Sequence, residues 1–165
     1  MKKMGFLMGM FGVMLAFVLV LSGCTSTSIF LIRDGAVLSW PSADTKPGTL
    51  TAKGAYKGPW VNEGVLIIPE TFRIPNVSGR YAIGVIGADS FKDINLIRVV
   101  IPSSVTTIGK RAFSNNSITS ITIPGNVSVG AEAFDNDFTA YYNGQAGRTA
   151  GTYTYDGSTW MFGWP

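Results

Sequence analysis

After an apolar first segment, the chain alternates short runs of β-branched and other apolar residues with turn residues. Gly, Pro, Asn, Asp and Ser separate the runs, a spacing that is typical of short β-strands. Residues 29–32 predict a first strand, closed by a turn at Asp34 and Gly35, and residues 36–40 predict the next. No stretch beyond residue 24 shows a sustained helical period. The pattern therefore predicts a mainly β protein.

The N-terminal segment, up to residue 23, is of a different kind. Lys2 and Lys3 precede an uncharged apolar run over residues 4–21, which is followed by small residues. A basic start, an apolar stretch and small residues before a cleavage point predict a secretory signal. Because roughly 17–25 apolar residues can span a bilayer, an uncleaved membrane anchor remains an alternative at this point.

The residues before and at the single cysteine favour cleavage. Leu21, Ser22, Gly23 and Cys24 resemble a bacterial lipobox, at which a diacylglycerol is attached to the thiol and a peptidase cuts just before the cysteine. Since Cys24 is the only cysteine, no intramolecular disulfide can form, and lipidation gives this lone thiol a role. One acyl chain binds a bilayer weakly. The resemblance implies two or three chains on Cys24, and thus a stable membrane anchor.

The second half of the chain contains an internal repeat. Ile101-Pro102 recurs as Ile123-Pro124, and Phe113 recurs as Phe134, one position earlier than expected because the second copy is one residue shorter. An earlier copy ends at Phe91, which precedes Phe113 by the same interval that separates the two Ile-Pro pairs. Its start at residues 65–69 lies further away, so residues 70–80 are predicted to be an insertion or a looser first repeat.

Each copy combines a strand, a second extended piece and a phenylalanine. Proline ends the strand because it cannot donate the next hydrogen bond of the ladder. Phe91, Phe113 and Phe134 are predicted to fill the interior. Gly109 and Gly130 are predicted to permit the turn that follows the second extended piece. Because one such unit cannot bury its own apolar face, the copies are expected to stack into a solenoid.

The repeat resembles a known family. Its pattern, [IV]-x-I-P-x-x-V-x-x-I-G-x-x-A-F, is complete over residues 99–113 and is similar to the BspA-type leucine-rich repeat of bacterial surface proteins. The resemblance implies a short solenoid with β-hairpin caps at both ends. In the tail, residues 152–155 and 160–162 flank Asp156 and Gly157, which predicts a hairpin. The aromatic tail also resembles those that close such lipoproteins in spirochaetes.

These predictions divide the chain into five parts. They are a lipoprotein signal peptide over residues 1–23, a polar tether over 24–28, an N-terminal β cap region over 29–64, the leucine-rich repeats over 65–138 and a C-terminal β-hairpin cap over 139–165.

Few residues are suited to catalysis or to binding a metal. The chain has no His, which removes the commonest general base and the commonest metal ligand, and its one Cys is assigned to lipid, so a Cys/His zinc site is excluded. Asp135 and Asp137 resemble a calcium loop, but they offer too few oxygen ligands, which favours a polar turn. We therefore expect a non-catalytic protein without cofactor or metal.

Charge gives no indication of a nucleic-acid partner. The chain has 13 basic and 10 acidic residues, a net charge of +3. Loss of Lys2 and Lys3 with the signal leaves 11 against 10, or +1, and no block of basic residues remains. Nucleic-acid binding by a basic face is therefore not expected.

A candidate binding surface follows from the strand residues that point out of a solenoid. In two successive copies these include Ile97, Arg98, Val100, Ser120 and Thr122. Ile97 and Val100 are more apolar than a solvated position favours. Either a partner or the neighbouring cap hairpin is expected to cover them, and the shortness of the array favours the hairpin.

Three functions are compatible with these features. The first is a surface-exposed protein-interaction module, and the resemblance adds adhesion to host extracellular-matrix or cell-surface proteins. The second is a periplasmic-facing structural lipoprotein without a host ligand. The third is an accessory protein that holds a polysaccharide or peptide.

Two observations bear on the choice between these functions. Trp40, Trp60, Trp160 and Trp164 could stack on sugars, although packing is the favoured role for at least two of them. Thr25 follows the cysteine where inner-membrane lipoproteins of the best-studied sorting systems have Asp, which favours the outer membrane or the cell surface.

Overall fold

The fold is described from a computed structural model, which describes residues 28–33, 36–41, 48–52, 60–72, 80–144 and 147–163. The predicted signal segment, the lipobox and Cys24 lie outside the described residues. The elements are β1 (Ser28–Arg33), β2 (Ala36–Pro41), β3 (Gly48–Ala52), β4 (Val61–Asn62), β5 (Val65–Ile67), β6 (Thr71–Phe72), β7 (Tyr81–Ile86), β8 (Arg98–Val100), β9 (Thr107–Ile108), β10 (Ser120–Ile123), β11 (Ser128–Val129), α1 (Phe138–Asn143), β12 (Gly151–Tyr155) and β13 (Trp160–Gly163).

The strands form two sheets with the core between them. One has the order β1-β2-β3-β7-β9-β11, with β6 paired to β7, and the other has the order β13-β12-β10-β8-β5-β4. The central strands of both sheets are parallel, β5 with β8 and β10, and β7 with β9 and β11. Each of three coils thus contributes one strand to each sheet. The predicted mainly β fold, a short leucine-rich-repeat solenoid, is confirmed.

A column of phenylalanine rings runs through the coils. Phe91 and Phe113 stack with ring centroids 5.4 Å apart, and Phe113 and Phe134 stack at 4.7 Å, with interplanar angles of 10° and 12°. All three side chains are buried. The prediction that these residues fill the interior is confirmed, and the near-parallel stacking shows that successive coils superpose closely.

The recurrent glycine before the phenylalanine has a different cause from the one predicted. A Cβ on Gly109 would lie 2.6 Å from the main-chain nitrogen of Ala88, and Gly130 is similarly crowded by the coil before it. The left-handed conformation is instead adopted two residues later, by Arg111 and Glu132, with φ of 53° and 54°. These glycines therefore permit close approach of adjacent coils rather than the turn itself.

Asn116 joins the first two coils at the turn that leads from Phe113 to β10. Its Oδ1 accepts hydrogen bonds from the main-chain N–H groups of Ile94 at 3.2 Å and Leu96 at 3.0 Å. Its Nδ2 donates to the carbonyl oxygens of Phe91 at 2.9 Å and Phe113 at 2.7 Å. One side chain therefore satisfies main-chain groups of two coils that no strand ladder reaches.

The C-terminal cap begins with a helix that the sequence pattern did not predict. Phe138 and Tyr142 of α1 are fully buried, and the ring of Phe138 packs edge-on against Phe134 at 5.1 Å and Trp160 at 4.8 Å. The phenylalanine column thus ends at α1, where the ring of Phe138 lies nearly perpendicular to that of Phe134. The helix is too short to show a helical period, which is why the pattern missed it.

The predicted hairpin follows the helix. Strands β12 and β13 pair antiparallel around the turn, which the N–H of Asp156 closes by donating to the carbonyl oxygen of Thr159 at 3.2 Å. Strand β12 also pairs antiparallel with β10. The hairpin therefore continues the six-stranded sheet and ends the stack of parallel coils.

At the other end, antiparallel strands precede the repeats. Strands β1 and β2 pair over their whole length, from Ser28 with Pro41 to Arg33 with Ala36, which confirms the first two predicted strands. Strand β3 joins them to β7, and β4 forms a short hairpin with β5. Within the described ranges, no helix has both the length and the apolar character needed to cross a membrane.

Candidate functional site

The predicted binding residues fall on the solvent side of the six-stranded sheet, which we call the outer face. Pairing in register places its side chains in two rows. These are Val65, Arg98, Ser120, Thr154 and Met161, and next to them Ile67, Val100, Thr122, Thr152 and Gly163. The intervening residues, such as Val99 and Ile121, point into the core and are fully buried.

Large apolar side chains are exposed on and beside the outer face. Ile67 is 56% exposed, Ile97 is 51% exposed and Met161 is 47% exposed. In the part of the chain that the structure describes, no other large hydrophobic residue is as exposed. Ile97 lies just before β8 and leans over the β4–β5 turn, 3.1 Å from where a Cβ on Gly64 would lie. The three are spread along the sheet, since β5 and β8 are neighbours and β13 is the edge strand at the other end. Exposed apolar side chains on one face are a feature of interaction sites.

The structure separates the predicted surface residues by exposure. Ile97 and Arg98 are exposed, and Val100 and Thr122 are half-buried. The prediction for Ser120 is corrected, because its side chain is on the same face as those of Arg98 and Thr154 but is only 7% exposed. Its short side chain lies in the sheet between Arg98 and Thr154. Ser120 therefore cannot offer an exposed contact.

The cap hairpin does not lie over this surface. Strand β12 pairs edge to edge with β10, so the hairpin widens the outer face instead of covering it. Thr122 and Thr152 meet across this junction, with their hydroxyl oxygens 2.9 Å apart. In the described part of the chain, Ile97 thus remains half exposed, which is not what cover by the hairpin would give.

Arg98 is the only charged residue in the two rows. No carboxylate of the described ranges pairs with it. Arg111, on the turns between the sheets, differs in this respect, because its Nε donates to Oδ1 of Asp89 at 2.8 Å. That hydrogen bond holds the pKa of the Asp89 carboxyl below its usual range. Arg98 is therefore a cation set among apolar and hydroxyl side chains.

The two acidic residues near the repeat boundary have separate roles. Asp135 accepts hydrogen bonds from the main-chain N–H groups of Asn115 at 3.2 Å and Asn116 at 2.8 Å. Asp137 precedes α1 with a φ of 55°, and its side chain makes no capping hydrogen bond. Among the residues that the structure describes, no three His, Cys, Asp or Glu side chains cluster as metal ligands would.

A cavity of about 500 Å³ lies between α1 and the turn of the hairpin, and we call it the cap cleft. Its polar and aromatic lining includes Asp137, Tyr141, Tyr155, Ser158 and Thr159. No sequence pattern predicts this site, because its residues come from three elements that only the fold brings together. A second cavity of about 510 Å³ lies on the other side of α1.

The tryptophans whose side chains the fold describes are packed against the core. Trp160 is 4% exposed, and its Nε1 donates to the carbonyl oxygen of Asn136 at 2.7 Å. Trp60 is half-buried against the core. The side chain of Trp40 and all of Trp164 lie outside the described residues. Packing is thus the role of Trp160, as the favoured interpretation expected.

The tyrosines of the cap divide into two pairs. Tyr142 and Tyr153 are buried, and their hydroxyls donate to the carbonyl oxygens of Pro124 at 2.7 Å and Thr149 at 2.6 Å. Burial raises the pKa of Tyr153 to about 12. Tyr141 and Tyr155 are half-buried and border the cap cleft, and no hydroxyl hydrogen bond of theirs occurs within the described ranges.

Comparisons with known proteins identify the repeat. Residues 70–142 match the family described as "BspA type Leucine rich repeat region (6 copies)". Among solved structures, a leucine-rich cell surface protein from Faecalibacterium prausnitzii is 28% identical with a TM-score of 0.49, and the match covers 64% of this chain and 27% of that one.

A leucine-rich repeat protein from Bacteroides capillosus is 22% identical with a TM-score of 0.43, and the match covers 61% of this chain and 65% of that one. The chain thus spans about a quarter of the first protein and just under two thirds of the second. No curated protein sequence matches the chain. Residues 70–142, with one strand of each coil in each of two sheets, thus form a leucine-rich-repeat region of the BspA type.

Proposed function

We propose that this protein is a lipid-anchored module of the cell envelope that binds other proteins through its outer face. The observation that carries the proposal is the exposure of Ile67, Ile97 and Met161 on and beside one sheet. Repeat arrays bind partners through such extended surfaces. The absence of His from the sequence and the repeat fold both favour a binding role over catalysis.

The anchor is supported by the sequence around Cys24. Strand β1 begins at Ser28, four residues after the cysteine. An extended chain spans at most about 3.6 Å per residue, so the tether allows at most about 14 Å between the lipidated residue and the first strand. The module is then held close to its membrane, where it meets partners that are themselves at that surface.

Host extracellular-matrix or cell-surface proteins are the partners that we propose for the outer face, which would make the protein an adhesin. The alternative is a structural lipoprotein that faces the periplasm and binds an envelope protein. Both roles use the same surface, so the location of the domain separates them. Thr25 after the cysteine favours the outer location.

Protease treatment of intact cells tests the location. We expect external protease to digest the protein while a periplasmic marker survives, because the lipid on Cys24 would hold the domain outside the cell. A Cys24→Ala variant should carry no lipid and should keep its signal segment, because the peptidase cuts beside the lipidated cysteine, so it should be detected as a precursor of higher mass. Protection of the wild-type protein until the envelope is broken would exclude adhesion and favour the envelope role.

A charge reversal tests the outer face. We expect Arg98→Glu to reduce binding to matrix proteins or host cells about tenfold or more, because charge reversal at the centre of an interface changes both attraction and desolvation. Arg148→Glu is the matched control, with the same change of charge at an exposed position beside α1. Equal binding by both variants and the wild type would refute the assignment of the outer face.

A further inference from the structure

We propose that the cap cleft is a binding site for a neutral carbohydrate. The cleft lies between α1 and the β12–β13 turn, and no residue of the two outer-face rows lines it. The inference is therefore independent of the protein-binding role proposed above. Its volume of about 500 Å³ falls within the range of small-ligand sites, about 300–1,000 Å³, and would hold one or two sugar rings.

The aromatic lining supplies the apolar half of such a site. Tyr155 packs against Trp160 with ring centroids 5.2 Å apart, and Tyr141 packs edge-on against Tyr153 at 6.0 Å. Packing on one side holds each ring, and both tyrosines are partly exposed and line the cleft. Aromatic rings with one packed and one open side are suited to the C–H faces of a sugar ring, because their bodies are apolar and their tips are polar.

The hydroxyl groups of these tyrosines supply the first polar contacts. The other two tyrosines of the cap bond to main-chain carbonyls at 2.7 Å and 2.6 Å, as buried hydroxyls normally do. Tyr141 and Tyr155 border the cleft without such a bond in the described part of the chain. The cap therefore contains both satisfied, structural tyrosines and a pair whose donors and acceptors are available to a ligand.

The charge of the cleft selects the class of carbohydrate. Among the described residues, Asp137 is the only carboxylate that lines the cleft, and no Lys or Arg lines it. A carboxylate without an internal partner accepts hydrogen bonds from two sugar hydroxyls and repels uronic acids, sialic acids and phosphates. The hydroxyls of Ser158 and Thr159 extend the polar rim on the opposite wall. A neutral hexose or N-acetylhexosamine fits this lining.

Titration of the full chain with simple sugars tests the site. The protein is solubilised in a detergent without a sugar headgroup, and binding of glucose, galactose and N-acetylglucosamine is followed by saturation-transfer NMR and by the fluorescence of Trp160 and its neighbours. We expect millimolar affinity for at least one of the three. Asp137→Asn should weaken binding about tenfold or more, as loss of a hydrogen bond to a charged group does.

Two further variants distinguish the site from a general effect. Tyr155→Phe keeps the ring and removes the hydroxyl, and we expect it to weaken binding about threefold to tenfold. Asp93→Asn is the control, because Asp93 is exposed and has a φ of 59° against 55° for Asp137. It should bind as the wild type does.

Each contrary outcome overturns the proposal. The first is that none of the three sugars binds at 10 mM, which is about ten times the expected dissociation constant. The second is that the Asp137→Asn and Asp93→Asn variants bind sugar with equal affinity. The third is that the protein binds n-butylammonium in preference to the neutral sugars. The last result would identify an acidic, aromatic site for cationic side chains instead. Failure here leaves the outer-face experiments unaffected, since they measure other residues.

Discussion

Replacement of Phe113 by alanine is expected to lower the free energy of unfolding of the repeat domain by about 4 kcal/mol, near the middle of the range for large buried aromatic residues. Phe113 is fully buried and stacks on one ring in the coil before it and one in the coil after it. The substitution removes both contacts and leaves a cavity that the neighbouring coils cannot fill without leaving their strand register.

Urea denaturation followed by circular dichroism measures this effect. Ile67→Ala serves as the control, because Ile67 is mostly exposed and its truncation should change the unfolding free energy by less than about 0.5 kcal/mol. A loss below about 1.5 kcal/mol for Phe113→Ala would contradict the packing role that the ring stack indicates, since it lies below the range for such cavities.

Replacement of Asn116 by alanine is expected to cost about 3–4 kcal/mol, although the side chain is small, because buried main-chain groups are left without partners. Ile94, Leu96, Phe91 and Phe113 each lose a hydrogen-bond partner for a main-chain group. An unsatisfied buried donor or acceptor costs about 1–3 kcal/mol, and water entering the vacated space would recover part of the total.

Two comparisons make the test specific. Asn143→Ala removes an exposed Asn from the end of α1 and should be nearly neutral. Asn116→Asp keeps the shape but replaces the donor that serves Phe91 and Phe113 by an acceptor, and should be at least as destabilising as alanine. If Asn116→Asp were as stable as the wild type, the hydrogen bonds from Nδ2 would not contribute to stability.

The features that the sequence predicts correctly are those that recur with the period of the coil. Phe91, Phe113 and Phe134 repeat at almost equal intervals, so their common position in the core follows from stacking alone. The hairpin around Asp156 and Gly157 was also predictable, because a short turn between aromatic strands is a local signal. The sequence predicts the phenylalanine column because it repeats, and it predicts the hairpin because the residues that form it are close together in the chain.

The features that were missed depend on contacts between elements. Asn116 is one of two adjacent asparagines and is indistinguishable from its neighbour in sequence, although only one of them reaches across two coils. The burial of Ser120 depends on the side chains of the strands on either side of it. Tyr141 and Tyr155 meet at the cap cleft only because α1 folds back towards the hairpin turn. None of these contacts leaves a periodic or local signal.

The pairing of equivalent strands in register has a consequence for the length of the array. Strand β8 is bonded to an equivalent strand on each side, and β9 likewise, so the middle coil contacts only copies of itself. In-frame duplication of one coil by unequal recombination would therefore lengthen both sheets by one strand, about 4.8 Å, and leave both caps unchanged. Such duplications would give outer faces whose width increases in steps of one coil.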